Sequence, residues 1–203
     1  MTDSFTPCSR ELPERRRVLR GAVALMMLGG FAAGPAHAAE AEIRAASIDV
    51  GDEQYVLNAD IAAELTPLLA DVVSRGVPLF FITEFQLSSP RWYWLDEEIV
   101  NKTVTYRLSY QSLTRQYRLT TGTLHQNFAS AEEALRTMLR IRNWAVADRA
   151  TLRVGRGYNA ALRFRLDVAE LPKPLQVSAF GRKDWNLGTD WYRWTFTPPR
   201  DSK

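Results

Sequence analysis

Over most of the chain beyond residue 40, apolar positions recur every second residue. Tyr55, Leu57, Ala59 and Ile61 alternate with Val56, Asn58 and Asp60. Val104, Tyr106, Leu108 and Tyr110 alternate with Thr105, Arg107 and Ser109, and Ala160, Leu162, Phe164, Leu166 and Val168 with Ala161, Arg163, Arg165 and Asp167. This is the pattern of strands with one buried and one wet face. Leu79 to Leu87 is apolar on both faces at its start and is expected at the centre of a sheet. Further strands are expected near 43–50, 115–121, 123–128, 175–180 and 191–197, nine in all. Short turns at Gly51-Asp52, Gln111 to Thr114 and Thr121-Gly122 imply antiparallel neighbours.

Two segments change period. Thr66 can cap a helix with Pro67 at its first position, Leu68, Leu69, Val72 and Val73 on one face, and Gly76 past its end. Ser130 and Glu133 form a capping box before Leu135, Met138, Leu139 and Arg142, which recur at helical spacing. Without a low-complexity linker or repeat, residues 39–203 read as a single mainly β (α+β) domain. The expected architecture is an antiparallel β-sandwich-like fold of about nine strands with two packing helices.

The chain has 203 residues, 46% hydrophobic and 24% charged, which excludes disorder and collagen-like repeats. Its net charge of +3 is concentrated near the N-terminus. There Arg15-Arg16-Arg17-Val18-Leu19-Arg20 precedes thirteen uncharged residues, Gly21 to Ala33, and small residues at Ala36 and Ala38. Residues 1–38 are therefore expected to be a signal peptide cleaved after Ala38, with a periplasmic mature protein. Ordinary secretion is preferred to the twin-arginine route, because Glu14 stands where Ser or Thr is usual. Thirteen residues are too few for a permanent membrane span, which needs about 20.

Residues 39–203 carry 21 Lys and Arg against 20 Asp and Glu, so no general surplus of cations points to nucleic acid. They contain no Cys and one His, since Cys8 and His37 precede the expected cleavage point. Disulfides, thiol catalysis, Cys-type zinc sites and sites with two His ligands are excluded. No cofactor is implied. Gly155-Arg156-Gly157 leads into a period-two strand, whereas a dinucleotide site needs a helix there. His125 reads as a structural hydrogen-bonding residue, and Asp96-Glu97-Glu98 as a solvated turn without calcium-loop spacing.

Aromatic residues are the unusual feature. All six tryptophans follow residue 38, and five of them cluster at Trp92-Tyr93-Trp94 and between Trp185 and Trp194. Tyr192, Trp194 and Phe196 would share the inward face of a strand. Trp92 and Trp185 adjoin polar, turn-forming sequence, so Arg91, Trp92, Trp185 and Asn186 are the expected recognition surface, aromatics as anchors and polar groups setting orientation.

Four segments together carry a family resemblance: Pro90 to Glu97, Leu108 to Leu119, Leu171 to Val177 and Asp184 to Leu187. Over roughly 42–198 the chain resembles a proteobacterial family called domain of unknown function 4390, with Leu95 where Phe is expected. The resemblance implies an exported envelope protein of a Gram-negative bacterium and supplies no catalytic residues. It also implies one candidate partner, a membrane sensor kinase of the nitrogen-regulation type. The leading expectation is a non-enzymatic periplasmic domain that binds an envelope protein. The alternatives are a small-ligand or glycan-binding module on the same aromatics and, less favoured, a carboxylate-based hydrolase assisted by His125.

Overall fold

A computed structural model describes residues 41–91, 93 and 96–200. The expected signal peptide, Cys8, His37, Trp92 and Trp94 lie outside the described residues. Nine strands form two antiparallel sheets. The smaller has the order β1-β2-β7, from Glu42–Val50, Gln54–Ala62 and Arg140–Asp148. The larger has the order β6-β5-β4-β3-β8-β9. Its strands are β3 (Leu79–Ser89), β4 (Glu97–Gln111), β5 (Gln116–Thr121), β6 (Leu124–Phe128), β8 (Tyr158–Leu166) and β9 (Tyr192–Phe196). As expected from its apolar start, β3 is central, paired with β4 on one side and β8 on the other.

The period-two positions become the core. Leu79, Phe81, Phe85 and Leu87 of β3 and Leu162 and Phe164 of β8 are buried, while Glu84, Gln86, Arg163 and Arg165 lie on the outer face. Phe81 stacks on Phe164 with ring centroids 5.5 Å apart. Phe85 meets Trp144 of β7 and Trp194 of β9, each at 6.3 Å, and Tyr55 of β2 meets Phe196 of β9 at 5.5 Å, so aromatic rings join the two sheets. Of the three aromatics expected inward on β9, Phe196 is buried and Trp194 packs partly buried against the core, whereas Tyr192, 5.6 Å from the Trp194 ring, is exposed. Trp194 lies opposite Ala160, whose small side chain leaves room for the indole.

The two expected helices are present. In α1 (Pro67–Ser74) Thr66 Oγ1 accepts from the Leu69 N–H at 3.2 Å, and beyond the last turn Gly76 takes φ +89°, a left-handed value that glycine adopts without strain. In α2 (Ala131–Met138) Ser130 Oγ accepts from the Glu133 N–H at 3.2 Å. This helix lies against β4, β5, β6 and β7 with Ala131, Ala134, Leu135 and Met138 buried.

Two further expectations are corrected. The helical spacing read through to Arg142 ends at Met138, and residues 140–148 are β7. Helix and strand are spliced at Leu139, whose N–H still donates to the Leu135 carbonyl while its carbonyl accepts from Ile61 of β2. The period of two in β7 is hidden by a break in register near Asn143, which has φ +52°. The strand expected near 175–180 is a helix, α3 (Lys173–Ala179). Pro172 and Pro174 open it with fixed φ, and Gln176 Nε2 donates to the Ala169 and Leu171 carbonyls at 2.7 and 2.6 Å. The alternation of Leu175, Val177 and Ala179 was therefore not a sheet pattern.

Candidate functional site

Arg91 follows the end of β3, where Ser89 pairs with Glu97 at the start of β4. Its Nη2 lies 2.5 Å from Glu97 Oε2 in an exposed ion pair. The trio expected as a solvated turn instead begins a strand at Glu97, so successive carboxylates diverge. Asp96 Oδ2 accepts from Asn159 Nδ2 at 2.9 Å and Ser88 Oγ at 3.4 Å, and Glu98 Oε2 from Asn101 Nδ2 at 3.3 Å. Asp96, Glu98 and Asn159 line a polar groove of about 550 Å³ with Gln86, Arg193 and Thr195. Such a lining suits a hydroxyl-rich molecule.

Trp185 ends a 3-10 turn (Lys183–Trp185), and the expected projection of its ring onto a surface is corrected: the residue is only 3% exposed. The turn is pulled inward by three bonds. Thr66 Oγ1 donates to the Asp184 carbonyl at 2.8 Å, Leu166 N–H to the Leu187 carbonyl at 2.7 Å, and Thr189 N–H to the Phe164 carbonyl at 2.8 Å. Polar neighbours therefore mark a surface turn without directing the side chain between them. Asn186 is exposed, as expected.

Arg91 and Asn186 are not brought together. Leu187, next to Asn186, bonds to Leu166, which pairs with Phe81, whereas Arg91 lies beyond Ser89. Phe81 and Ser89 are about 26 Å apart at 3.3 Å per strand residue. Arg91 and the pair Trp185 and Asn186 therefore lie toward opposite ends of β3, and Trp92 lies outside the described residues.

Beside Trp185 runs a groove of about 450 Å³, lined by Leu166, Val168, Ala179, Phe180 and Asn186, with Arg182 and Lys183 also in its wall. Phe180 is 92% and Val177 79% exposed. They stand three residues apart at the end of α3 and so on one side of it. Sequence reasoning missed both because it made this segment a strand. A Pro-x-Pro start and a glycine after Phe180 were the available signals.

It also missed a cluster on the outer face of the large sheet. Glu84 lies opposite Arg163 in register, and Arg163 Nε and Nη2 donate to Glu84 Oε2 at 2.8 and 2.6 Å. Arg165 Nη2 reaches Glu84 Oε1 at 3.3 Å. Burial pushes the Glu84 carboxyl up, but the hydrogen bonds and charges of Arg165 and Arg163 outweigh it and hold the group below the ordinary carboxylate value. Arg163 also lies over the Trp191 ring, 4.5 Å from its centroid. A lone acid in an apolar central strand, with arginines alternating on another strand, was the legible trace of this cluster.

His125 is exposed on β6, its Nδ1 3.1 Å from Thr120 Oγ1, the hydrogen-bonding role expected of it. Gly155 has φ +76° in a loop and β8 begins at Tyr158, so the glycine motif leads into a strand.

No curated protein and no solved structure matches the chain. A family model described as a domain of unknown function matches residues 38–195, which covers all four segments above and nearly all of the fold they build. By that match the chain belongs to the family designated domain of unknown function 4390.

Proposed function

We propose that this protein is an exported, periplasmic, non-enzymatic domain that binds an envelope protein through the groove beside α3. The observation that carries the reading is exposed Phe180, which lines a groove walled by Trp185 and edged by Asn186, with exposed Val177 three residues before it. Single exposed apolar residues are ordinary, but two on one side of a helix beside an apolar groove form a patch. Covering a Phe side chain contributes about 1.5–3 kcal/mol. Arg182 and Lys183 at the same groove favour a partner segment with acidic residues near its apolar anchor. Export is supported by the basic, apolar and small-residue order of residues 15–38 and by the start of the family match at residue 38. The candidate partner is the extracytoplasmic part of a membrane sensor kinase.

The test is in-cell crosslinking of tagged protein followed by mass spectrometry, with a Val177→Ser/Phe180→Ser variant as control. One envelope protein captured by wild type, and lost in a variant with an unchanged Tm, is the expected result. Equal capture by both proteins would remove the groove from the reading. Export is checked separately by N-terminal sequencing of the periplasmic fraction, with Ala39 as the expected first residue.

A small-ligand module is favoured by one further observation. The buried Trp185 Nε1 has no hydrogen-bond partner, and a ligand offering an acceptor would supply one. Such a ligand would raise the Tm with the logarithm of its concentration once above its Kd, without capturing a protein.

A further inference from the structure

A pocket of about 570 Å³ opens where β1, β2, β7 and the last turn of α2 meet. Arg44, Arg136, Arg140 and Arg142 line it with Asp60 and Glu64, so four guanidinium cations face two carboxylates. Residues 39–203 carry almost equal numbers of cations and anions, so this surplus is local rather than compositional.

Two irregularities deliver the arginines. The register of β1 against β2 slips between Ile43 and Ala45, leaving Arg44 as the extra residue of a bulge. That of β2 against β7 slips between Leu57 and Ala59, opposite Arg142 and the left-handed Asn143. Bulges bend a strand and re-aim its side chains. Asn58 Oδ1 secures the second one by accepting from the Asn143 N–H at 2.9 Å.

The cations differ in what holds them. Arg142 is fixed: Nη1 donates to the Ala59 and Ile141 carbonyls at 2.9 and 2.7 Å, and Nη2 to Asp60 Oδ1 at 2.5 Å. Asp60 is thereby engaged, although Arg140 stands directly opposite it in register. Arg44 and Arg140 form no ion pair with any described residue. Arg136 donates through Nε to the Glu132 carbonyl at 3.3 Å, which leaves its terminal nitrogens available.

We infer that this pocket binds a phosphate-bearing anion. Planar guanidinium forks match phosphate oxygens in pairs, and a multiply charged anion relieves the mutual repulsion of the converging cations. The volume suits a compact headgroup, since small-ligand sites span about 300–1,000 Å³. An extended nucleic acid would need a basic stripe rather than one pocket. A lipid headgroup and a free phosphate compound share this chemistry, and the experiment separates them.

Inorganic pyrophosphate is titrated calorimetrically into the purified protein at low and high salt. Sedimentation with phosphatidylglycerol or phosphatidylcholine vesicles is run in parallel, and the Arg44→Gln/Arg140→Gln variant is carried through both. Both side chains are exposed, so this variant should keep the wild-type Tm. Saturable pyrophosphate binding that weakens with salt, and by at least about tenfold in the variant, supports the site with a soluble ligand. Binding to phosphatidylglycerol vesicles alone, lost in the variant, supports it with a lipid headgroup. Binding of neither probe, or binding unchanged by the variant, overturns the inference.

Discussion

Trp185 shows how a single side chain can have a role its neighbours conceal. It is flanked by exposed Asp184 and Asn186 yet is itself buried, so Trp185→Ala should lower stability by about 3–5 kcal/mol. Phe180→Ser should stay within about 0.5 kcal/mol of wild type. Urea denaturation of both variants checks the contrast, and a near-neutral Trp185→Ala would return the indole to the surface. Thr83 presents the opposite case, a fully buried residue of β3 whose hydroxyl has no hydrogen-bond partner. Thr83→Val keeps the shape and removes the orphaned hydroxyl, so the variant should be up to about 1–3 kcal/mol more stable, read as a raised urea midpoint. Glu84 sets a pH dependence. Its pKa in the fold lies below the ordinary value of 4.5, so its stabilising contribution is present above that value and is lost as pH falls through the folded one. Wild type should therefore exceed Glu84→Gln in stability at pH 7, and the gap should close on acidification. A gap independent of pH would show that the arginines hold Glu84 by shape rather than charge.

At the scale of elements, what was legible depended largely on whether the signal was local. The caps at Thr66 and Ser130, the alternation in β2, β4 and β8 and the apolar start of β3 involve residues within a few positions of one another, and they were read correctly. β7 was misread because its decisive partner is distant in sequence, whereas α3 was misread although its determinants, Pro172, Pro174 and Gln176, are local. β7 exists because β2 offers an edge to pair with, and its bulge erases the period. The two caps also differ in reach. Ser130 bonds only within its own helix end, so Ser130→Ala should cost about 1 kcal/mol. Thr66 caps α1 and also holds the Asp184 carbonyl, so Thr66→Ala should cost about 0.5–1.5 kcal/mol more and loosen the turn that carries Trp185. Denaturant midpoints give the first quantity, and amide exchange at Asn186 and Leu187 the second. Equal losses in the two variants would show that the long-range bond contributes nothing.

For the whole molecule the two sheets are interleaved along the chain, the small one closing only with β7, after β3 to β6 of the large one and before β8 and β9. Trp144 and Trp194 approach one residue, Phe85, from different sheets. The sheets should therefore unfold together, with tryptophan fluorescence and far-ultraviolet circular dichroism giving coincident transitions. Two separated transitions would show that one sheet is stable alone. Period, capping residues, turn residues and family segments were enough by themselves to establish an antiparallel, β-rich fold with α1 and α2 in place, because each depends on the backbone preferences of neighbouring residues. Which aromatic rings are buried, which arginines converge and which patches lie at opposite ends of a strand were decided only by tertiary structure. Those properties follow from strand register and from bulges, and a shift of one residue in pairing moves every side chain to the other face.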